Sequence, residues 1–230
     1  MSLSSEIVAW RKAKRAELLT RRAAVPAAER AQWGRAITRR LRDGFPLLAR
    51  MTVGFCWPHA GEFDARFLIH ELREKGARAA LPVVVKFRAP LAWHAWWPGA
   101  PMKNGPMDIP VPDGTEELVP DAVLIPPVGF TPHGERLGYG GGFFDRTLAA
   151  LNPPPLKIAV AFEISRIDTI YPEPHDIPMD FVVTESNTYQ VKDHALVAVS
   201  AADCAAAALN LAQYRGLPRA YTPPLPVPEH

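Results

Sequence analysis

Residues 134–146 read GERLGYGGGFFDR, with four glycines in the five positions 138–142, bracketed by Arg136 and Arg146 and closed by Asp145. The stretch follows the apolar run Asp121 to Ile125 and precedes Thr147-Leu148-Ala149-Ala150-Leu151, so it reads as strand, glycine loop, helix. Glycine takes positive φ without strain and, having no Cβ, lets a bound group approach the backbone. A helix starting near Phe143 adds unpaired first-turn amides and the positive end of its dipole, a combination that holds phosphate in many unrelated folds. Arg136 and Arg146 offer forked, permanent cations to the same anion. Asp145, in the first turn, either stabilises the helix start or holds Mg²⁺ beside phosphates. The stretch does not end in Gly-Lys-Ser/Thr, so it is no Walker A loop, and Phe143 stands where a dinucleotide fingerprint needs its third glycine. Taken alone, these residues leave two readings open, a phosphate site and a tight structural turn.

On the N-terminal side, Ser5 to about Arg42 is rich in Ala, Leu, Arg and Glu and predicts two helices broken near Pro26, with Trp33, Ile37 and Leu41 as a buried stripe on the second. Arg11 and Arg15 fall on one face of the first helix, with Arg22 two turns further on. Met51 to Trp57 reads as a strand, Phe63, Phe67, Leu68 and Leu72 as a helix ending at Lys75-Gly76, and Ala79 to Val85 as a buried parallel strand. Phe87 to Pro120, with Trp93, Trp96, Trp97 and many prolines, predicts ordered loop with short strands. Downstream, Lys157 to Phe162, Phe181 to Thr184 and Ala195 to Val199 are strand candidates, and Ser200 with Asp203 caps an alanine-rich helix to about Arg215. This alternation predicts helices covering a mostly parallel sheet in one α/β domain over residues 1–215, with ligands at the carboxyl ends of strands. Residues 216–230 are dominated by proline and predict a tail on the surface or disordered.

Composition narrows the function classes. The 230 residues suffice for a core of ordinary size, and 48% hydrophobic with 22% charged residues fits a globular protein. No apolar run approaches the roughly 20 residues of a membrane span, and Met1 to Trp10 lacks a secretory segment, so a cytoplasmic location with no membrane partner is expected. Two cysteines far apart, Cys56 and Cys204, argue for buried thiols and against a disulfide framework or zinc site. A net charge of +2 gives no global field for nucleic acid, although basic residues crowd Arg11 to Arg42. A Ser, His and Asp constellation is missing, and His133 and His175 lie in proline-flanked loops, which disfavours a nucleophile-dependent hydrolase. Glycine amides, arginines, Asp176, Asp180 and surplus aromatics suit phosphoryl transfer instead. The residues carry no signal of oligomeric state.

RLGYGGGFFDR following PPVGFTPHG, together with HDIPMDFVVTE downstream, resembles the 5-formyltetrahydrofolate cyclo-ligase family, also called methenyltetrahydrofolate synthetase. The glycine motif is the most specific part. The basic first helix, GFCWPHAGEFD, LPVV and MDIPVP follow in the family's order, so the likeness covers roughly Ala9 to Glu185. The resemblance implies a three-layer α/β/α, Rossmann-like fold and a reaction in which ATP and Mg²⁺ convert the reduced folate 5-formyltetrahydrofolate to 5,10-methenyltetrahydrofolate, ADP and phosphate. It also implies that Leu137, Gly138, Tyr139, Gly140, Gly141, Gly142, Phe143, Phe144 and Asp145 cradle the ATP phosphates, with Arg136 and Arg146 adding charge at the transferring group. Arg11 and Arg15 match a lysine and an arginine four apart that reach the nucleotide in the family. Trp57 and Glu62 match folate-contacting positions, and Asp145 and Asp180 match acidic positions expected to hold magnesium, with Asp176 as second choice. Phe144 departs from the family's usual tyrosine, so a non-catalytic or drifted folate- or nucleotide-binding paralogue is the alternative.

Overall fold

Proline 26 separates the first two helices, α1 (Leu3–Ala23) and α2 (Ala27–Gly44), where its missing N–H costs no helical hydrogen bond. The structure is a computed structural model and describes residues 3–219. On α2 the expected stripe is realised: Ile37 and Leu41 are buried, and Trp33 packs on Phe162 with ring centroids 5.2 Å apart. Helix α3 (Arg66–Glu74) buries Leu68, Ile69 and Leu72. Two residues of the sequence pattern fall outside that face. Phe67 points to solvent at 72% exposure, and Phe63, though buried, precedes the helix. Helix α4 (Phe143–Ala150) starts where the glycines end. Helix α5 (Ala201–Tyr214) is capped as predicted, Ser200 Oγ accepting from the Asp203 amide at 3.1 Å.

The strands are β1 (Thr52–Gly54), β2 (Arg78–Val83), β3 (Ala92–Ala95), β4 (Met102–Asn104), β5 (Pro110–Pro112), β6 (Ala122–Ile125), β7 (Gly129–Phe130), β8 (Arg136–Leu137), β9 (Leu156–Val160), β10 (Phe181–Val183), β11 (Thr188–Lys192) and β12 (Ala195–Ala198). Eight of them form one sheet in the order β12-β11-β10-β9-β6-β1-β2-β3, while β4 pairs with β5 and β7 with β8 as small antiparallel ribbons. The five central strands β10, β9, β6, β1 and β2 run parallel, and β3, β11 and β12 add antiparallel edges. One face of the sheet packs against α2, α3 and α5 through Ile37, Leu41, Leu68, Ile69, Cys204 and Ala208. The other face packs against Leu148 of α4 together with Trp93 and Phe130. Three layers result.

The sheet order places the site. From β1 the chain goes to β2 on one side, and only later returns to β6 on the other side of β1. Connections leaving the carboxyl ends of β1 and β6 therefore diverge and open a crevice, the usual ligand position in a doubly wound sheet. Helix α1 lies along this end of the sheet, its Leu18 buried with Val128, Leu137 and Ile170. At the opposite end, Leu217 is buried and Arg219 donates to Asp121 and to the Pro120 carbonyl, so 216–219 lie fixed on the body. The rest of the expected tail, 220–230, lies outside the described residues.

Candidate functional site

The glycine loop is the segment that joins ribbon strand β8 to α4. Gly140 (φ 97°) and Gly142 (φ 61°) both take the left-handed backbone, and Gly142 leads directly into the helix. A side chain at either position would be strained, which is the local reason for glycine there. Residues 138–141 are exposed.

An ion pair and a tyrosine hold this loop from below and from the side. Arg136 is buried at the loop's base, where Nη2 donates to Asp145 Oδ1 at 2.7 Å and Nη1 donates to the Ile177 carbonyl. The same Asp145 oxygen accepts from the Ile177 amide at 3.1 Å. Burial makes the Arg136 guanidinium easier to deprotonate, and Asp145 opposes that. Tyr139, at the loop's crown, reaches across to the segment that follows β1, its hydroxyl donating to Glu62 Oε1 at 2.6 Å. It accepts in turn from Arg22 Nη2 at 2.8 Å. Glu62 Oε2 accepts from the His59 amide at 3.0 Å. With 3% of its side chain exposed, the Glu62 carboxyl is pushed up to about 6, burial outweighing Tyr139, Arg22 and the His59 amide. Burial, and after it the Glu62 carboxylate, raise the Cys56 thiol and the Tyr139 phenol.

Two cations flank the exposed glycines and have no acidic partner among the described residues. Arg15 Nε donates to the Gly138 carbonyl at 2.7 Å, and its guanidinium lies against Gly140. Burial, then the neighbouring Arg11, lower its proton affinity. Arg146 Nη2 donates to the Gly141 carbonyl at 2.5 Å, its guanidinium sits over the Phe143 ring at 5.3 Å, and its Nε is buried without a partner. Exposed backbone between two uncompensated guanidinium groups can receive an anion.

The other residues expected in the site divide. Arg11 turns away from the loop: it donates to the carbonyls of Ile170 and Tyr171 and, at 2.6 Å, to Asp176. Asp176, Glu173 and His175 hold ligand atoms within 4.8 Å of one another, but Arg11 already pairs with both carboxylates. Asp180 is not brought to the loop at all. It precedes β10 at the end of the sheet opposite the crevice, where Arg215 donates to both its oxygens at 2.7 and 2.9 Å and Lys157 lies 3.3 Å away. Such a carboxylate is a structural anchor rather than a free ligand. Leu137 is buried under α1, so only its backbone borders the loop. Phe144 is half-buried beside Trp93, ring centroids 6.4 Å apart. Trp57 is half-buried with Arg66 stacked 4.5 Å from its ring. Arg22, which sequence reasoning placed on the basic face of α1 without a role, lies at the centre of the crevice. Its signal was the shared face with Arg15.

The sequence profile of the 5-formyltetrahydrofolate cyclo-ligase family matches residues 7–185 of the chain. A 5-formyltetrahydrofolate cyclo-ligase of Mycolicibacterium smegmatis is 33% identical, the alignment covering 74% of this chain and 91% of the relative. One of Escherichia coli K12 is 29% identical over 74% of this chain and 97% of its own length. Among solved structures, the Aquifex aeolicus 5,10-methenyltetrahydrofolate synthetase superposes with a TM-score of 0.70 at 25% identity, covering 80% of this chain and 93% of that one. The Mycoplasma pneumoniae synthetase, at 22% identity and a TM-score of 0.63, agrees in fold.

Proposed function

The chain belongs to the 5-formyltetrahydrofolate cyclo-ligase family, and on that premise we propose that it closes 5-formyltetrahydrofolate to 5,10-methenyltetrahydrofolate with ATP and Mg²⁺, releasing ADP and phosphate in the cytoplasm. The observation that carries this reading is the Tyr139 to Glu62 hydrogen bond, 2.6 Å long, which joins the glycine loop to the segment after β1. Two substrates must meet for the reaction, and the crevice between β1 and β6 is where these two segments meet.

In the proposed reaction the formyl oxygen attacks the γ-phosphorus and ADP leaves. N10 of the folate then attacks the formyl carbon, and phosphate departs as the ring closes, taking up the proton that N10 loses. No protein nucleophile is required. The task for the chain is to hold both substrates and to neutralise charge on the transferring group. Backbone amides of the exposed residues Gly138 to Gly141 and the guanidinium groups of Arg15 and Arg146 supply that charge. Arg136 supports the loop by fixing Asp145. Asp145 has Oδ1 committed to Arg136 and Ile177, whereas neither donor uses Oδ2. One free carboxylate oxygen fits a magnesium ion bound chiefly by phosphates and water. When bound, the ion adds positive charge beside the phosphates. Glu62 would accept ring N–H groups of the pterin, and Trp57 would offer it an aromatic face.

Purified protein incubated with 5-formyltetrahydrofolate, ATP and Mg²⁺ develops the absorbance of methenyltetrahydrofolate if the reading holds. Absence of product at high enzyme concentration rejects it. Phe144 favours a second reading, a folate- or nucleotide-binding protein without turnover, because the ring beside Trp93 carries no hydroxyl. Tight folate binding without ATP consumption, together with turnover restored by Phe144→Tyr, selects that second reading.

A further inference from the structure

Glu62 is the carboxylate assigned above to the folate ring, yet its side chain is 3% exposed and both oxygens are in use. The group that covers Oε1 is Tyr139, a residue of the glycine loop itself. Its hydroxyl is also held by Arg22, whose Nε is anchored on the Ala60 carbonyl at 3.0 Å. With the carboxyl 3% exposed and Tyr139 lying on Oε1, a ligand has little access to this oxygen while Tyr139 stays in place.

We propose that Tyr139 is a positioning residue that couples the two substrate sites, covering Glu62 while the glycine loop is empty and yielding it when phosphate fills the loop. The inference rests on the assignment of ATP to the loop and of folate to Glu62.

The loop has room to move in that way. Tyr139 lies between Gly138 and Gly140, and a Cβ added at Gly138 would meet nothing within 4 Å, so open space borders the loop there. The bond that fixes this part of the loop to α1 is Arg15 Nε on the Gly138 carbonyl, 2.7 Å long. A phosphate bound among the glycine amides is a stronger acceptor for Arg15 than a neutral carbonyl. Drawing Arg15 to phosphate therefore breaks the bond adjoining Tyr139. Once Tyr139 leaves, Arg22 remains 3.9 Å from Glu62 Oε1 as its countercharge. Arg22 holds the carboxylate in place for the incoming ring. Because coupling between two binding sites is reciprocal, folate that displaces Tyr139 also frees the loop for nucleotide.

The test is calorimetry of 5-formyltetrahydrofolate binding with and without a non-hydrolysable ATP analogue and Mg²⁺. In the unsubstituted chain the analogue tightens folate binding on the order of 5- to 150-fold, and folate tightens the analogue by the same factor. In Tyr139→Phe, folate alone binds nearly as tightly as it does to the unsubstituted chain with the analogue, and the enhancement falls toward one. An enhancement fully retained in Tyr139→Phe, or absent from the unsubstituted chain, overturns the inference. Carbodiimide labelling of Glu62, read by peptide mass spectrometry, gives a measure that needs no folate. Labelling rises with the analogue in the unsubstituted chain and is high without it in Tyr139→Phe; labelling indifferent to the analogue also overturns the inference. Turnover without coupling sinks this inference and leaves the proposed reaction standing, whereas no folate binding in either condition sinks both.

Discussion

Arg136 and Asp145, nine residues apart in sequence, close the base of the glycine loop with an ion pair of 2.7 Å in which the arginine side chain is only 4% exposed. The pair is not isolated, since the Ile177 carbonyl and amide satisfy one further group on each partner. Loop geometry thus depends on a contact with a segment beyond β9.

Removing the acidic partner leaves a buried guanidinium with the Ile177 carbonyl as its remaining acceptor. Asp145→Ala is expected to cost about 3–5 kcal/mol of stability, measured by denaturant unfolding, while Asp145→Asn costs less because it keeps an acceptor for Arg136. A change below about 1 kcal/mol in Asp145→Ala contradicts the buried pair.

Arg15 and Arg11 stand one turn apart on α1 and do different things. Arg15→Ala is expected to raise the KM for ATP by about tenfold to a hundredfold, the range for a lost hydrogen bond to a charged group. Arg11→Ala is expected to lower the melting temperature while leaving that KM within about twofold, because its donors go to Ile170, Tyr171 and Asp176. Steady-state kinetics and thermal unfolding of both variants separate the two roles, and equal KM effects would contradict the division.

Burial holds the Glu62 carboxyl at about 6, above its ordinary 4.5. The folded state therefore binds this proton more tightly than the unfolded chain. The resulting stability is present below the unfolded value and is lost as pH rises through the folded one. Between about pH 4 and pH 8, the stability difference between Glu62→Gln and the unsubstituted chain should shift by about 2 kcal/mol in favour of the variant. Urea unfolding at the two pH values checks this. A difference that does not move with pH would mean an ordinary carboxyl.

Asp180 anchors the segment that follows α5 through Arg215. Asp180→Asn weakens the bidentate contact with Arg215 and the pairing with Lys157. Breaking a buried pair is worth about 3–5 kcal/mol, so a melting temperature lower by several degrees is expected, with the Mg²⁺ concentration dependence of turnover unchanged. A shift of that dependence with no loss of stability would return Asp180 to the metal.

Much of the architecture is legible in the chain. Short valine- and alanine-rich runs bounded by glycine and proline mark the parallel strands β2, β6 and β9, and the Ser200 cap marks α5, because burial on two faces and capping both leave local signatures. Strand β11, TYQVK, escapes because its burial falls away toward Lys192 and leaves no continuous apolar run to mark it. Within the site, the glycine loop is legible and its partners are not. Nothing local distinguishes Arg11, which serves 170–176, from Arg15, which serves the loop four residues later. Likewise Tyr139 and Glu62 are 77 residues apart, and only the adjacency of β1 and β6 brings them together.

Helix α1 precedes every other described element in the chain and is among the last that can be fixed. Arg11 finds its partners 159 to 165 residues downstream, and Arg15 finds the Gly138 carbonyl 123 residues downstream. Closing such long loops costs entropy before any contact repays it, and contacts of this range slow folding. On the ribosome the Arg11 contacts of α1 must therefore wait until the chain past Asp176 has emerged, so a truncated product ending before that point would carry the glycine loop and the arginines but lack Ile177, which supports Arg136 and Asp145 at the loop's base.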